Sequence, residues 1–277
     1  MGHLVANYHT HNKLCNHAVG ECSDYVKEAI RLNMKEIGLS DHDPIPEEFM
    51  SKEDYNDNLC YRNMTYDQFE NIYLKEVDEA KKKYSNDIKI YAGLECEYLE
   101  GHDDYYKSLL KRLDYLNLGV HFFKDKDGNI INSYHKIDTN NVIDYANTCV
   151  KGMRTRMFKI LVHPDLFMFD YKNINGERKF DENAIKASKM ILEEAEKLGI
   201  YVEVNVNGLA NSRKYHSDEW LYPYYEFWNL AKDYKNLKIV IGIDAHDPKS
   251  LDSTDIDLVK EFVKKYNLNI LDTIKWD

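Results

Sequence analysis

Seven short apolar runs recur along the chain, and most are followed by a stretch with helical spacing. They are LVANYHTH (4–11), EIGLSDH (36–42), IKIYAGLECEY (88–98), YLNLGVHFF (115–123), KILVHPD (159–165), YVEVNVN (201–207) and KIVIGIDAH (238–246). Runs this short and this apolar fit strands buried on both faces, which are paired in parallel and joined by helical crossovers. The intervening pattern predicts helices over 23–34, 181–199 (ending at Gly199), 217–234 and about 253–266, with shorter ones near 102–112 and 139–150. Thr65-Tyr66-Asp67-Gln68 has the form of a capping box opening a helix to about Tyr84. Seven such units in 277 residues predict an α/β fold closed into a barrel, with 1–277 as a single domain. KDKDGN (124–129) predicts a hairpin turn, and the long polar stretch 43–64 predicts a lid or substrate loop.

Composition narrows the function. Charged residues are 37 basic against 48 acidic, a net −11, which argues against nucleic-acid and membrane surfaces. Five cysteines (Cys15, Cys22, Cys60, Cys96 and Cys149) form no CxxC pair, so reduced thiols in the cytoplasm are expected rather than a disulfide framework. MGHLVANYHTHNK is too polar for a signal peptide, and no apolar stretch is long enough to span a membrane.

The decisive pattern is where the histidines fall. Of eleven, seven sit at or just past the end of a predicted strand: His9, His11, His17, His42, His121, His163 and His246. Glu95, Glu97 and Asp244 share those ends. All carboxyl ends of a parallel barrel meet at one rim, where sites are built. His9-x-His11 and Asp244-x-His246 place two ligand-type side chains on one strand face. Imidazole with hard oxygen and no thiolate suits Zn, Mn or Fe. His3, His102, His135 and His216 fall outside the pattern and are expected at the surface or around the ligands.

HTH, NHA, SDH, GLE, GVH, VHPD and IDAH, in this order, resemble the PHP (polymerase and histidinol phosphatase) superfamily. HTHNKLCNHAVG, GLSDHDP, GLECEY, VHPDL and EVNVNGL resemble more narrowly its histidinol-phosphate phosphatase branch. The likeness runs from His9 to His246. It implies a distorted (β/α)7 TIM-like barrel with three divalent cations: one on His9, His11, Glu95 and Asp244; one sharing Glu95 and adding His121 and His163; one on His17, His42 and His246. Gly93-Leu94-Glu95 matches the family's Gly-x-Glu, leaving Glu97 to support the ligands.

The chemistry such a set suits is phosphomonoester hydrolysis, with a metal-bridging water as nucleophile beside Glu95, Asp244 and His246. The leading expectation is L-histidinol phosphate as substrate, in histidine biosynthesis. The alternatives are another small phosphorylated metabolite or nucleotide, a non-catalytic metal-binding module, or a metal-dependent amidohydrolase. Asp41, Asp43, Asp165 or a metal-bound water could protonate the leaving group. Among seven arginines, Arg213 in NGLANSRK is the candidate phosphate grip, at longer spacing than in related phosphatases; Asn207 is a second substrate contact. Tyr55, Tyr61 and Trp220-Leu221-Tyr222-Pro223 are candidate pocket walls, while most tyrosines are expected to pack on helices and the surface. Oligomeric state is left open by the sequence.

Overall fold

The computed structural model describes residues 3–58, 62–216 and 219–276. Seven parallel strands run β1 (Ala6–Asn7), β2 (Glu36–Leu39), β3 (Lys89–Cys96), β4 (Tyr115–Leu118), β7 (Ile160–Leu161), β8 (Tyr201–Asn205) and β9 (Lys238–Gly242), in that spatial order. A separate hairpin pairs β5 (Phe122–Lys124) with β6 (Ile130–Asn132), and its turn is the predicted one. The sheet curls until its edges nearly meet. Thr10 bridges Ala245 in parallel, His11 N–H donates to Ala245 O at 2.8 Å, and Ile243 N–H donates to the Asn7 side chain at 2.8 Å. The expected α/β (β/α)7-type barrel is therefore what the chain forms.

The helices follow the strands. They are α1 (Cys22–Arg31), α2 (Lys52–Asn58), α3 (Tyr66–Gln68), α4 (Leu74–Lys83), α5 (Asp103–Leu110), α6 (Val142–Arg154), α7 (Glu182–Leu198), α8 (Asn207–His216), α9 (Tyr225–Ala231) and α10 (Asp255–Lys265). Thr65 and Gln68 form the expected reciprocal cap, and a π-helical turn, Phe69–Tyr73, joins α3 to α4. Gly199 closes α7 at φ 67°, a left-handed value that glycine adopts without penalty.

Three expectations are corrected. The helix predicted over 217–234 shrinks to Tyr225–Ala231, because Pro223 lacks an N–H and disfavours helix at the residue before it. The helix displaced from there forms earlier: α8 starts at Asn207, where the pattern had suggested the end of a strand. The fourth run also divides, with β4 ending at Leu118 and Phe122–Lys124 turning away into the hairpin.

Alternation along each strand sorts residues into two layers. Leu94, Leu116, Leu118, Leu161, Val202 and Val204 join the large core shared with the helices. The opposite faces contribute Ala6, Tyr8, Tyr115, Ile160, Tyr201 and Val240 to a second cluster inside the barrel. Tyr8, Tyr115 and Tyr201 thus lie inside the barrel. The chain's end plugs it: the Trp276 ring stacks on Tyr91 at 3.8 Å, and the Ile274 and Lys275 N–H groups donate to the hydroxyls of Tyr8 and Tyr201. The barrel is thus filled by aromatic rings below, leaving its carboxyl-end rim for polar groups.

Tyr115 needs room that two glycines supply. A Cβ on Gly93 would collide with the Tyr115 ring, and one on Gly38 with its hydroxyl. Gly93→Ala should therefore cost about 1–3 kcal/mol, the usual penalty of overpacking. Urea unfolding of the variant and its parent measures this, and a loss below about 0.5 kcal/mol, the scale of a neutral surface change, would show that the ring is free to move aside.

Candidate metal centre and active site

All seven strand-end histidines meet at the carboxyl-end rim with Glu95 and Asp244. Glu95, the last inward-facing residue of β3, is the hub. Its Oε2 lies 3.4 Å from His9 Nε2, 3.3 Å from His11 Nε2 and 3.4 Å from His42 Nδ1. Its Oε1 lies 2.8 Å from His163 Nε2 and 3.5 Å from His121 Nε2. Asp244 Oδ1 lies 3.1 Å from His11 Nε2 and 3.5 Å from His9 Nε2. His11 stacks on His246 at a centroid distance of 4.2 Å and tilts against His42 at 4.5 Å. The His17 ring lies 4.9 Å from His246 and 5.2 Å from His42.

Backbone geometry shapes the rim. His163 and Asp244, at the ends of β7 and β9, have φ of 31° and 55°. Left-handed values cost a residue with a Cβ about 1–2 kcal/mol, and such strain is typical of functional positions.

The outer hydrogen bonds turn most of these rings inward. His9 Nδ1 faces Glu203 Oε2 at 2.9 Å, His11 Nδ1 faces Asp41 Oδ1 at 3.4 Å, and His121 Nδ1 faces Glu97 Oε1 at 2.5 Å. His17 Nδ1 and His246 Nδ1 face the carbonyls of Cys15 (2.7 Å) and Asp244 (3.0 Å). An imidazole whose Nδ1 proton is so engaged presents the Nε2 lone pair to the cluster, as a metal-ligating histidine does. Glu97 supports His121 as the sequence suggested. Glu203 had not been singled out: its only signal is a charged residue inside an apolar strand.

The donor set fits cations. The Nε2 atoms of His9 and His11 are 3.1 Å apart. With Glu95 Oε2 and Asp244 Oδ1 they form edges of 3.1–3.5 Å. Two donors at a tetrahedral angle around one ion, each about 2.0–2.1 Å from it, stand roughly 3.3 Å apart, so each of these pairs is spaced to share one. Asp244 Oδ1 has no hydrogen-bond donor although it is buried, and buried carboxylate oxygens are rarely left so. Three of the groups able to share an ion are His9, His11 and Asp244; His42, Glu95 and His121; and His11, His42 and His246.

Electrostatics divides the rings. Burial, then the neighbouring His246, His11 and Arg62, pushes His17 down to about 4; burial and His11 push His246 to about 4. Burial also holds His42 and His121 well below the usual imidazole value, with His11 and Arg62 adding to it at His42, and Arg62 and His163 at His121. Burial would lower His9 and His11 too, but Glu203, Asp244 and Glu95 around His9, and Asp244 and Asp41 around His11, more than offset it and raise both. Burial would raise Glu95 and Asp244, yet the imidazoles, His121 and His9 foremost, hold both well below the usual carboxylate range. Neutral rings and ionised carboxylates are the forms that ligate, and an incoming cation would displace the protons on His9 and His11.

Above the cluster opens a cavity of about 710 Å3, lined by His11, His17, His42, Glu95, His121, Asp244 and His246 together with Arg62, Tyr134, Asp170, Asn207 and Lys214. Asn207 stands where expected, its amide 3.3 Å from Asp244 Oδ2. Arg213 does not: its guanidinium turns outward to pair with Asp255. Helix geometry explains this, because Asn207, Asn211 and Lys214 share the cavity-facing side of α8 and Arg213 falls on the other. Arg154 and Arg156 are engaged at Glu194 and the Leu198 carbonyl. None of the acids proposed for the leaving group lines the cavity. Asp165 accepts from Tyr224 N–H and Trp228 Nε1–H, Asp43 from the Tyr105 hydroxyl, and Asp41 from His42 N–H. Tyr222 does not line the cavity, its ring centroid lying 6.4 Å from that of His163, while Tyr61 and the side chain of Tyr55 lie outside what the structure describes. Among the described residues no helix is long and apolar enough to cross a membrane.

The chain is similar over most of its length to proteins named as histidinol-phosphatases or probable ones. The histidinol-phosphatase of Bacillus subtilis is 23% identical over 259 residues, covering 86% of this chain and 92% of that protein. The probable histidinol-phosphatase of Deinococcus radiodurans is 22% identical over 266 residues, covering 93% and 92%. Two crystal structures share the fold. One is a candidate histidinol phosphatase from Listeria monocytogenes (TM-score 0.73, 21% identity, 91% of this chain and 99% of that one). The other is the histidinol phosphate phosphatase of Lactococcus lactis, complexed with zinc, L-histidinol and phosphate (TM-score 0.65, 17% identity, 96% and 95%). Residues 7–207 match the model of the PHP domain. By that match, the chain belongs to the PHP domain family.

Proposed function

We propose that the chain is a metal-dependent phosphomonoesterase that hydrolyses L-histidinol phosphate to L-histidinol and inorganic phosphate. The observation that carries this reading is the Glu95 carboxylate within 3.5 Å of five imidazoles at the floor of an open cavity. The names of the Bacillus and Deinococcus relatives, and the zinc, histidinol and phosphate held by the Lactococcus neighbour, support it.

In this reading residues 1–277 form one catalytic unit holding three divalent cations. His9, His11, Glu95 and Asp244 hold the first; Glu95, His121 and His163 the second; His17, His42 and His246 the third. Bound there, divalent cations supply Lewis-acid stabilisation of phosphoryl oxygens and lower the pKa of water to near neutrality. The residues of the chain do the rest. Glu203, Asp41 and Glu97 fix the ring orientations of His9, His11 and His121, so that the donors need not reorganise when charge builds up. Asn205 and Asn207 donate to Asp244 Oδ2 and hold that carboxylate's rotamer, leaving Oδ1 for a cation. Glu95, Asp244, His9 and His11 are buried, and a low-dielectric surrounding strengthens each electrostatic contact between them.

Two measurements test this. Protein stripped with chelator should gain thermal stability on adding zinc or manganese, by about 2.7 kcal/mol for each site at free metal 100-fold above its Kd. Asp244→Asn should reduce that gain, and an unchanged Tm would remove the metal centre. Phosphate release from a panel of phosphomonoesters should be fastest with L-histidinol phosphate, and Asp244→Ala or His42→Ala should lower kcat/KM by about a thousandfold or more, as expected when a charge-stabilising group is lost. Faster turnover of nucleotides would shift the substrate to the alternative class, and near-parental activity in both variants would end the reading.

A further inference from the structure

We propose that Arg62 grips the phosphoryl group of the substrate, the task for which the sequence pointed to Arg213; this rests on the phosphomonoesterase reading above. A phosphate monoester is a dianion, and a chain of net charge −11 must capture it. Among the described residues lining the cavity, two side chains carry a fixed positive charge, Arg62 and Lys214. Arg213 is excluded by its place on the outer side of α8, away from the cavity lining.

Arg62 is held as a recognition group needs to be. Its guanidinium carbon lies 5.8 Å from the ring centroid of Phe122 and 5.8 Å from that of Tyr134. Two aromatic faces attract a cation and limit the planes it can adopt. Tyr134 lies nearly parallel to His121, at an interplanar angle of 12° and a centroid distance of 5.9 Å. The guanidinium therefore stands one ring away from a member of the Glu95 cluster, over the cavity that a phosphoryl group must enter. Phe122 belongs to β5, so the hairpin that leaves the barrel after β4 acts as one jaw of this clamp. Lys214 is placed differently: its ammonium lies over Tyr215, an exposed ring. An ammonium is a mobile point charge, whereas a guanidinium offers two parallel N–H donors to two phosphate oxygens.

The test uses inorganic phosphate as the probe, titrated calorimetrically into zinc-loaded full-length protein, alongside KM and kcat for L-histidinol phosphate. Arg62→Ala should weaken phosphate binding and raise KM by about tenfold or more, the effect of losing hydrogen bonds to a charged group. Arg62→Lys should recover part of that loss, and Arg213→Ala should stay within about twofold of the parent, the scatter of a surface change. Unchanged zinc content and Tm establish that each variant is folded; should the alanine variant fail this, Arg62→Gln, with similar reach and no charge, takes its place. Phosphate binding within about twofold of the parent on loss of Arg62, a loss carried by Lys214→Ala instead, or a parent that binds no phosphate would each overturn the assignment. A protein that binds phosphate through Arg62 yet hydrolyses no ester on the panel would uphold the grip and overturn the enzymatic reading.

Discussion

One carboxylate in the middle of five imidazoles sets the terms for this barrel. Taking an ionised group out of water costs several kcal/mol unless it is paired and hydrogen-bonded, and Glu95 is almost wholly buried. Imidazoles from four other strand ends repay that cost, which is why the ends of β1, β2, β4 and β7 must arrive at one place. Closure of the sheet is thus an electrostatic requirement as much as a packing one. The seam between β1 and β9 is held by a single bridge and by the Asn7 side chain standing in for a ladder partner, and it brings Asp244 to within 3.1 Å of His11.

The two ends of the barrel divide the work. Below, Tyr8, Tyr115, Tyr201 and the Trp276 plug fill the interior with rings whose hydroxyls find partners: Tyr8 on Glu36, Tyr115 on the Tyr8 carbonyl, and Tyr201 on Lys275 N–H. That end supplies stability. The rim spends some of it: left-handed backbone at His163 and Asp244, an unpartnered Asp244 oxygen, and rings crowded against one another. A fold can tolerate such strain at a site when the rest of it over-determines the geometry.

What the sequence revealed, and what it hid, follows from the range of each interaction. Strand ends are local features, so His9, His11, His42, Glu95, His121, His163 and Asp244 stood out as ligand-type residues closing apolar runs. Convergence could be inferred because parallel strands of one barrel share a rim. The breaks were harder. Pro223 argued against a helix over 217–234, but apolar spacing on both sides masked it. Glu203 read as one charge in an apolar strand, and only the fold shows it 2.9 Å from His9 Nδ1. Arg213 stood in a family-like stretch at longer spacing, and the helix it sits on turns it toward Asp255. Arg62 lay in a polar loop with no periodicity, where nothing local says which way a side chain turns.

That last contrast reaches beyond this chain. The cluster at the floor is built on strands, whose ends are fixed by hydrogen-bond ladders, and it is the part of the cavity that pattern reading recovers. The cations above it come from a loop, where no period sets the direction of a side chain, and from a helix, where each position turns by about 100°. Shifting α8 by one position would exchange Arg213 with Lys214 at the cavity wall. A rim that holds its ligand-type groups on strands and its cations on a loop and a helix can therefore change what it binds while keeping the cluster. In a barrel of this kind the ligand set speaks to the reaction, and the loop and helix cations speak to the substrate.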